Sequence, residues 1–177
     1  HVPDINDFTA GMKILLGEDG VITLEFPHLL ELIKFYQFDT VYHEHFSYLS
    51  LHSVNTIFEM HDLKIFDVEK LGTHGGSLRL YGCHSHDSRD ICENVSKILR
   101  EEDSFGLFEE KTYSDFQKRA DQVKDDLLNF LIKAKSEGKR VIGYGAAAKG
   151  NTLLNYAGIK KDLLPVICDA ASSKQNK

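Results

Sequence analysis

The chain predicts an α/β fold, and three observations along its 177 residues carry that prediction. The first is a nearly continuous apolar run, VITLEF at residues 21–26, joined by two segments that alternate apolar with polar residues, KIFDVEKL and SLRLYGC, around the turn GTHGG. The second is a set of intervening segments whose apolar residues recur at helical spacing. The third lies near the end of the chain, where a short strand, a glycine-rich turn, a helix and a second strand make a βαβ unit.

In chain order, Asn6 or Asp7 is the expected cap of a first helix in which Phe8, Met12, Leu15 and Leu16 share a face, ended by Gly17 and Gly20. The strand at 21–26, apolar at nearly every position, is expected to be buried on both faces. Pro27 closes it, having no N–H to give the ladder. Leu29, Leu30, Ile33 and Phe35 support a short helix or turn. Ser53 is the expected cap of a helix reaching Leu63, with Val54, Ile57, Phe58 and His61 on one stripe. The antiparallel pair, Lys64 to Leu71 and Ser77 to Cys83, follows. After the linker HSHDS, a charged helix carries Ile91, Val95, Ile98 and Leu99. Tyr113, Phe116, Ala120, Val123, Leu127, Phe130 and Ala134 then step alternately by three and four residues, which predicts a long helix with a narrow heptad stripe. Arg140 to Ile142 and Leu163 to Cys168 are the expected strands of the βαβ unit. A domain boundary is expected near residues 84–90, dividing the chain into 1–86 and 87–177.

Composition sets bounds on function. With 42% hydrophobic and 27% charged residues, and 3 Pro against 13 Gly, the chain reads as globular rather than disordered or fibrous. A net charge of -6 argues against a nucleic-acid surface, which relies on dense Lys and Arg. No apolar run approaches the roughly 18 residues of a membrane span, and no signal peptide opens the sequence, so the expected location is cytoplasmic. Cys83, Cys92 and Cys168 fit neither a disulfide framework nor a CxxC metal knuckle, and reduced thiols are expected. The opening HVPDINDF, without an initiator Met, and the closing SSKQNK suggest a piece of a longer protein.

The chemistry concentrates in DTVYHEHFSYLS, residues 39–50. His45 suits a general base, Glu44 can raise its basicity or orient it, and the Tyr42 hydroxyl can hydrogen-bond a developing enolate oxygen. Adjacent residues cannot share a face of a strand, so Glu44 and His45 acting together require a loop or turn. Metal binding by His43, Glu44 and His45 and a plain surface loop are the other two readings. Zinc sites draw on spaced ligands such as H-E-x-x-H, which this run lacks. The turn His74-Gly75-Gly76-Ser77 reads either as a pocket lining, since glycines permit close approach, or simply as a hairpin turn. Glu25, in an otherwise apolar strand, is a candidate buried carboxylate or a solvated strand-end group. Gly143, Gly145 and Ala148 match G-x-G-x-x-A between strand and helix, with Asp169 at the end of the next strand and Lys149 close by. That context suits a dinucleotide or pyrophosphate at a helix start, and suits equally a tight turn without a ligand.

Taken together, EFPHLLELIKFYQFDTVYHEHFSYLSL, THGGSLRLY and GYGAAAKGNTLLNY, in this order, resemble the S-adenosylmethionine-dependent sugar C-methyltransferases, which methylate C3 of nucleotide-linked 4-keto-6-deoxysugars. The resemblance covers nearly the whole chain. It implies an N-terminal zinc-binding segment, a class I methyltransferase domain and a C-terminal Rossmann-like domain. On that basis Val21 to Phe26 is the fifth strand of the methyltransferase sheet, the pair at 64–71 and 77–83 the sixth and seventh, and the chain spans the second half of that domain, the long helix and the start of the second Rossmann-like domain. The glycine-rich loop that holds S-adenosylmethionine and the zinc cysteines are absent from these residues, so both groups are expected to depend on a preceding part.

The resemblance further implies that His45 removes the C3 proton acidified by the 4-keto group, with Glu44 beside it and Tyr42 close to the sugar, and that His1 is a second active-site histidine. His74 and Ser77 become pocket residues, and Gly143, Gly145 and Lys149 contacts for the nucleotide-sugar diphosphate. The expected partner is a nucleotide-linked keto-deoxysugar, with no nucleic acid and no membrane. Two rival expectations remain: a non-catalytic nucleotide-sugar or dinucleotide binding module resting on the βαβ unit, and a homo-oligomer formed through an exposed sheet edge or the heptad helix.

Overall fold

A computed structural model describes residues 1–175, and within it the chain forms two compact units. The first comprises His1–Gln37 and His43–Tyr113, and the second comprises Phe38–Tyr42 and the chain from Ser114 on. The chain is mixed α/β, as its periodicities predict.

The first unit is built on a three-stranded antiparallel sheet in the order β1 (Ile22–Pro27), β3 (Ser77–His84), β2 (Leu63–Leu71). The pairing of β2 with β3 around the glycine-rich turn follows the sequence expectation. Alternation, with a register shift after Ile65, puts Leu63, Ile65 and Val68 of β2 and Leu78 and Leu80 of β3 in the core. The strand at 21–26 departs from its expectation. β1 lies at the sheet edge and buries only alternate residues, with Ile22 inside and Thr23 and Glu25 exposed, so its apolar run does not mark burial on two faces. Pro27 is its last residue, opposite Ser77, where an edge strand tolerates a missing N–H.

Helices α1 (Ile5–Leu15), α3 (Leu51–Met60) and α4 (Glu93–Phe105) pack with this sheet. The cap of α1 is Asp4, whose carboxylate accepts from the amides of Asn6 and Asp7, each at 3.0 Å; the two residues expected to cap are the ones being capped. Met12 and Leu16 pack on the core, whereas Leu15 is exposed. Ser50 caps α3, and Ser53, the expected cap, sits three residues further on and closes a reciprocal capping box with it. Val54 and Phe58 of α3 are buried. Phe58 lies over Gly82 of β3, where an added Cβ would fall 2.4 Å from the ring. Helix α4 buries Val95 and Ile98 and stops at Gly106, which adopts the left-handed conformation at φ 82°. Val95 and Ile98 of α4 join the core of the sheet, and the first compact unit runs on to Tyr113, inside the next helix. A short helix α2 (Leu29–Lys34) buries Leu30, Leu32 and Ile33.

Helix α5 (Glu110–Ser136), from Ser114 on, is the longest element of the second unit. Its buried residues are Ala120, Leu131 and Ala134, and Val123 and Phe130 of the expected heptad stripe are exposed. A straight helix drifts by about 20° per heptad from a 3.5-residue repeat, so a strict heptad row does not stay on one packed side. Strands β4 (Gly143–Tyr144) and β5 (Ile167–Cys168) pair in parallel on either side of α6 (Ala148–Tyr156), giving the predicted strand–helix–strand order with shorter strands that begin later than expected. A one-turn helix at Phe38–Thr40 completes the unit, with the Phe38 and Tyr156 rings 5.3 Å apart.

Candidate active site

The YHEH segment belongs to no helix or strand, and Tyr42 to Glu44 form a bend and turn, the loop conformation that joint action of Glu44 and His45 requires. His43 and Glu44 are exposed and His45 is half-buried. His1, distant in sequence, places its ring edge-on to His45 with centroids 4.9 Å apart, and Tyr48 stands on His45 at 6.1 Å. An imidazole held by two rings and partly open to solvent has the freedom to exchange a proton and the restraint to aim it. Tyr42 falls in the second unit. Among the described residues no three His, Cys, Asp or Glu side chains come together to hold a metal ion, and His43, Glu44 and His45 do not converge as ligands.

The THGGS turn is a one-turn helix, Thr73–Gly75, between β2 and β3. His74 is exposed and has φ 55°, uncommon for a residue with a Cβ, and Gly75 and Gly76 follow at φ 85° and 120°. Ser77 is buried, and its hydroxyl donates to the Thr73 carbonyl at 3.0 Å, so its hydrogen is committed to the turn itself. Gln37 donates to the Gly75 carbonyl at 2.8 Å. A cavity of about 360 Å³ opens beside this turn, with His28, Glu31, Lys70 and Ser77 in its wall. Glu25 is solvated rather than buried: it is exposed and receives two hydrogen bonds from Arg79, its partner across β1 and β3. The hydrogen bond from Arg79 holds its carboxyl below the ordinary range.

In the second unit, Gly143 is the first residue of β4 and Gly145, just after the strand, takes φ 96°, with Lys149 in the first turn of α6. The acid at the end of β5 is already engaged, since Asp169 accepts from Ala146 N–H at 2.7 Å and from Ala171 N–H at 2.8 Å. These backbone hydrogen bonds hold its carboxyl below the ordinary range. Asp169 therefore braces the glycine turn instead of standing free for a ribose hydroxyl.

One pair of residues escaped the sequence reading. Glu102 of α4 is fully buried, accepts the amide hydrogens of Leu51 at 2.6 Å and His52 at 3.0 Å, and meets Nε2 of the equally buried His28 at 2.7 Å. The signal was present: Val95 and Ile98 mark the packed stripe of α4, and Glu102 continues it as a carboxylate where an apolar residue is expected.

Residues 72–177 match the model of a family described as the C-methyltransferase C-terminal domain. The chain is 38% identical to the C-methyltransferase NovU of Streptomyces niveus over 177 residues, which is 100% of this chain and 42% of the relative. It thus spans about two fifths of the length of the curated relative it matches.

Proposed function

Because the chain belongs to the C-methyltransferase family, we propose that it carries the proton-abstracting part of an enzyme that moves a methyl group from S-adenosylmethionine to C3 of a nucleotide-linked 4-keto-6-deoxysugar. The methyl donor supplies an electrophilic carbon. The roles assigned to these residues concern the sugar. On this reading β1, β2 and β3 are the fifth, sixth and seventh strands of the methyltransferase sheet, and β4, α6 and β5 open a second Rossmann-like domain.

The observation that carries the proposal is the meeting of His1 and His45, their ring centroids 4.9 Å apart although the two residues are distant in sequence. The 4-keto group acidifies the C3–H bond. His45 takes that proton, the electron pair delocalises into the carbonyl as an enolate, and the Tyr42 hydroxyl hydrogen-bonds the oxygen. Glu44 favours the imidazolium that results, and His1 restrains the ring. His74 and Ser77 belong to the sugar pocket. Gly143, Gly145 and Lys149 contact the diphosphate, a role supported by a start of α6 that has no side-chain cap.

Exchange of the C3 hydrogen for deuterium, followed by NMR in the full-length natural protein, tests this. His45→Asn is expected to slow exchange by about 10²-fold or more, the contribution of a positioned general base. Exchange at the parent rate would remove His45 from that role.

A further inference from the structure

The buried pair His28 and Glu102 joins the two motifs that the sequence places far apart. At the start of α3, Ser50 satisfies the amide of Ser53, and Glu102 satisfies those of Leu51 and His52, so three donors that a helix start normally leaves open are fixed in direction. Immediately before them, Leu49 receives the amide hydrogen of Leu29 and forms a parallel bridge with His28. The chain from His28 to Leu51 therefore leaves and returns at one neck, and His45 lies four residues from the Leu49 side of it (49 minus 45). His28 also donates its backbone N–H to the Gly76 carbonyl at 3.0 Å, which ties the THGGS turn to the same neck.

Glu102 accepts two backbone hydrogens at the first turn of a ten-residue helix, so both of its oxygens are engaged as acceptors. Nε2 of His28 then carries the hydrogen it shares with Glu102, and Nδ1 has no hydrogen-bond partner among the described residues. The ring can satisfy Glu102 only from its present position, with its own backbone fixed to the turn.

We propose that Glu102 and His28 are positioning residues that set the loop of His45 against the THGGS turn. They act through the backbone at Leu49, Leu51 and Gly76 and do not touch the reacting atoms. This rests on the reading of His45 as the base. A displacement of about 1 Å in a reacting group is enough to cost about 10²-fold in rate, so a neck loosened by one lost hydrogen bond changes chemistry before it changes binding.

The test uses the full-length natural protein with the thymidine diphosphate-linked 4-keto-6-deoxyglucose as probe. Glu102→Gln keeps shape and one acceptor but cannot accept from both Leu51 and His52 while meeting His28. It is expected to lower the C3 exchange rate per folded molecule by about 10- to 100-fold, leave the dissociation constant of the probe within two-fold, and shift the His45 Hε1 resonance while those of β2 and β3 hold. Val95→Ala, a core truncation on the same helix two turns before Glu102, is the control for stability alone and is expected to leave the rate per folded molecule unchanged. An unchanged exchange rate and His45 resonance in Glu102→Gln would overturn the proposal, as would an equal loss in Val95→Ala. If His45→Asn exchanges normally, the base assignment falls and this inference with it. If His45→Asn is inert while Glu102→Gln exchanges normally, only the positioning role falls.

Discussion

Glu25 and Arg79 face one another across β1 and β3, and their hydrogen bonds are the main cause of the lowered carboxyl pKa of Glu25. A lowered folded pKa contributes stability that is present above the ordinary glutamate value of 4.5 and is lost as pH falls through the folded value. Arg79→Met is expected to move the Glu25 titration up toward that ordinary value, read from its side-chain carboxyl resonance; a titration that stays put would show that Arg79 is not the cause. Cys83 makes a second prediction at this scale. Burial pushes its thiol pKa up, while Cys92 and Cys168 are exposed. A thiol reagent is expected to modify the latter two in the native protein and Cys83 only after unfolding. The sequence shows three cysteines outside any metal or disulfide pattern, but which of them is shielded depends on strand register. Glu25 illustrates the same limit: an acid in an apolar run reads as buried or solvated until its cross-strand neighbour is known.

Among the elements, periodicity located the helices well and their caps poorly. Asp4 and Ser50 hold the positions expected of Asn6 or Asp7 and Ser53, because runs of two or more capping residues leave several starts open and only the tertiary position of the helix selects one. The β2–β3 pair was legible from alternation, while the one-sided burial of β1 was not, since an edge position is a property of the sheet and not of the strand. The contact of α3 with β3 depends on Gly82. Gly82→Ala would put a Cβ 2.4 Å from the Phe58 ring, and the expected cost is about 1–3 kcal/mol by urea denaturation. Gly72→Ala, where nothing lies within 4 Å, is the matched control and is expected to stay within about 0.5 kcal/mol. Equal midpoints for the two variants would show that the Phe58 contact is not tight.

Over the whole molecule, the two units differ in how much they bury. Leu78 and Leu80 at the centre of the first sheet are fully buried, whereas Tyr144 of β4 is 85% exposed and Ile167 of β5 is 37% exposed. Amide hydrogens of β2 and β3 are therefore expected to exchange orders of magnitude more slowly than those of β4 and β5; comparable protection would contradict that difference. The mixed α/β character and the final strand–turn–helix–strand order were legible because each rests on local pattern. The division of the chain within α5 was not, because helical periodicity continues through it unbroken. The candidate site draws on both kinds of information. The loop of Tyr42, Glu44 and His45 stands out by composition, but the approach of His1 to His45 and the burial of Glu102 are products of the folded chain.

The three partners of Glu102 lie 50, 51 and 74 residues away from it. No local collapse of α4 can bring that carboxylate to them, so these bonds close only after the sheet has fixed both flanking chains. Glu102→Gln should then leave the refolding limb of a chevron almost unmoved and steepen the loss on the other side, raising the unfolding rate. The pair would act as a kinetic latch, fastened last during folding and first to resist when the native state begins to open.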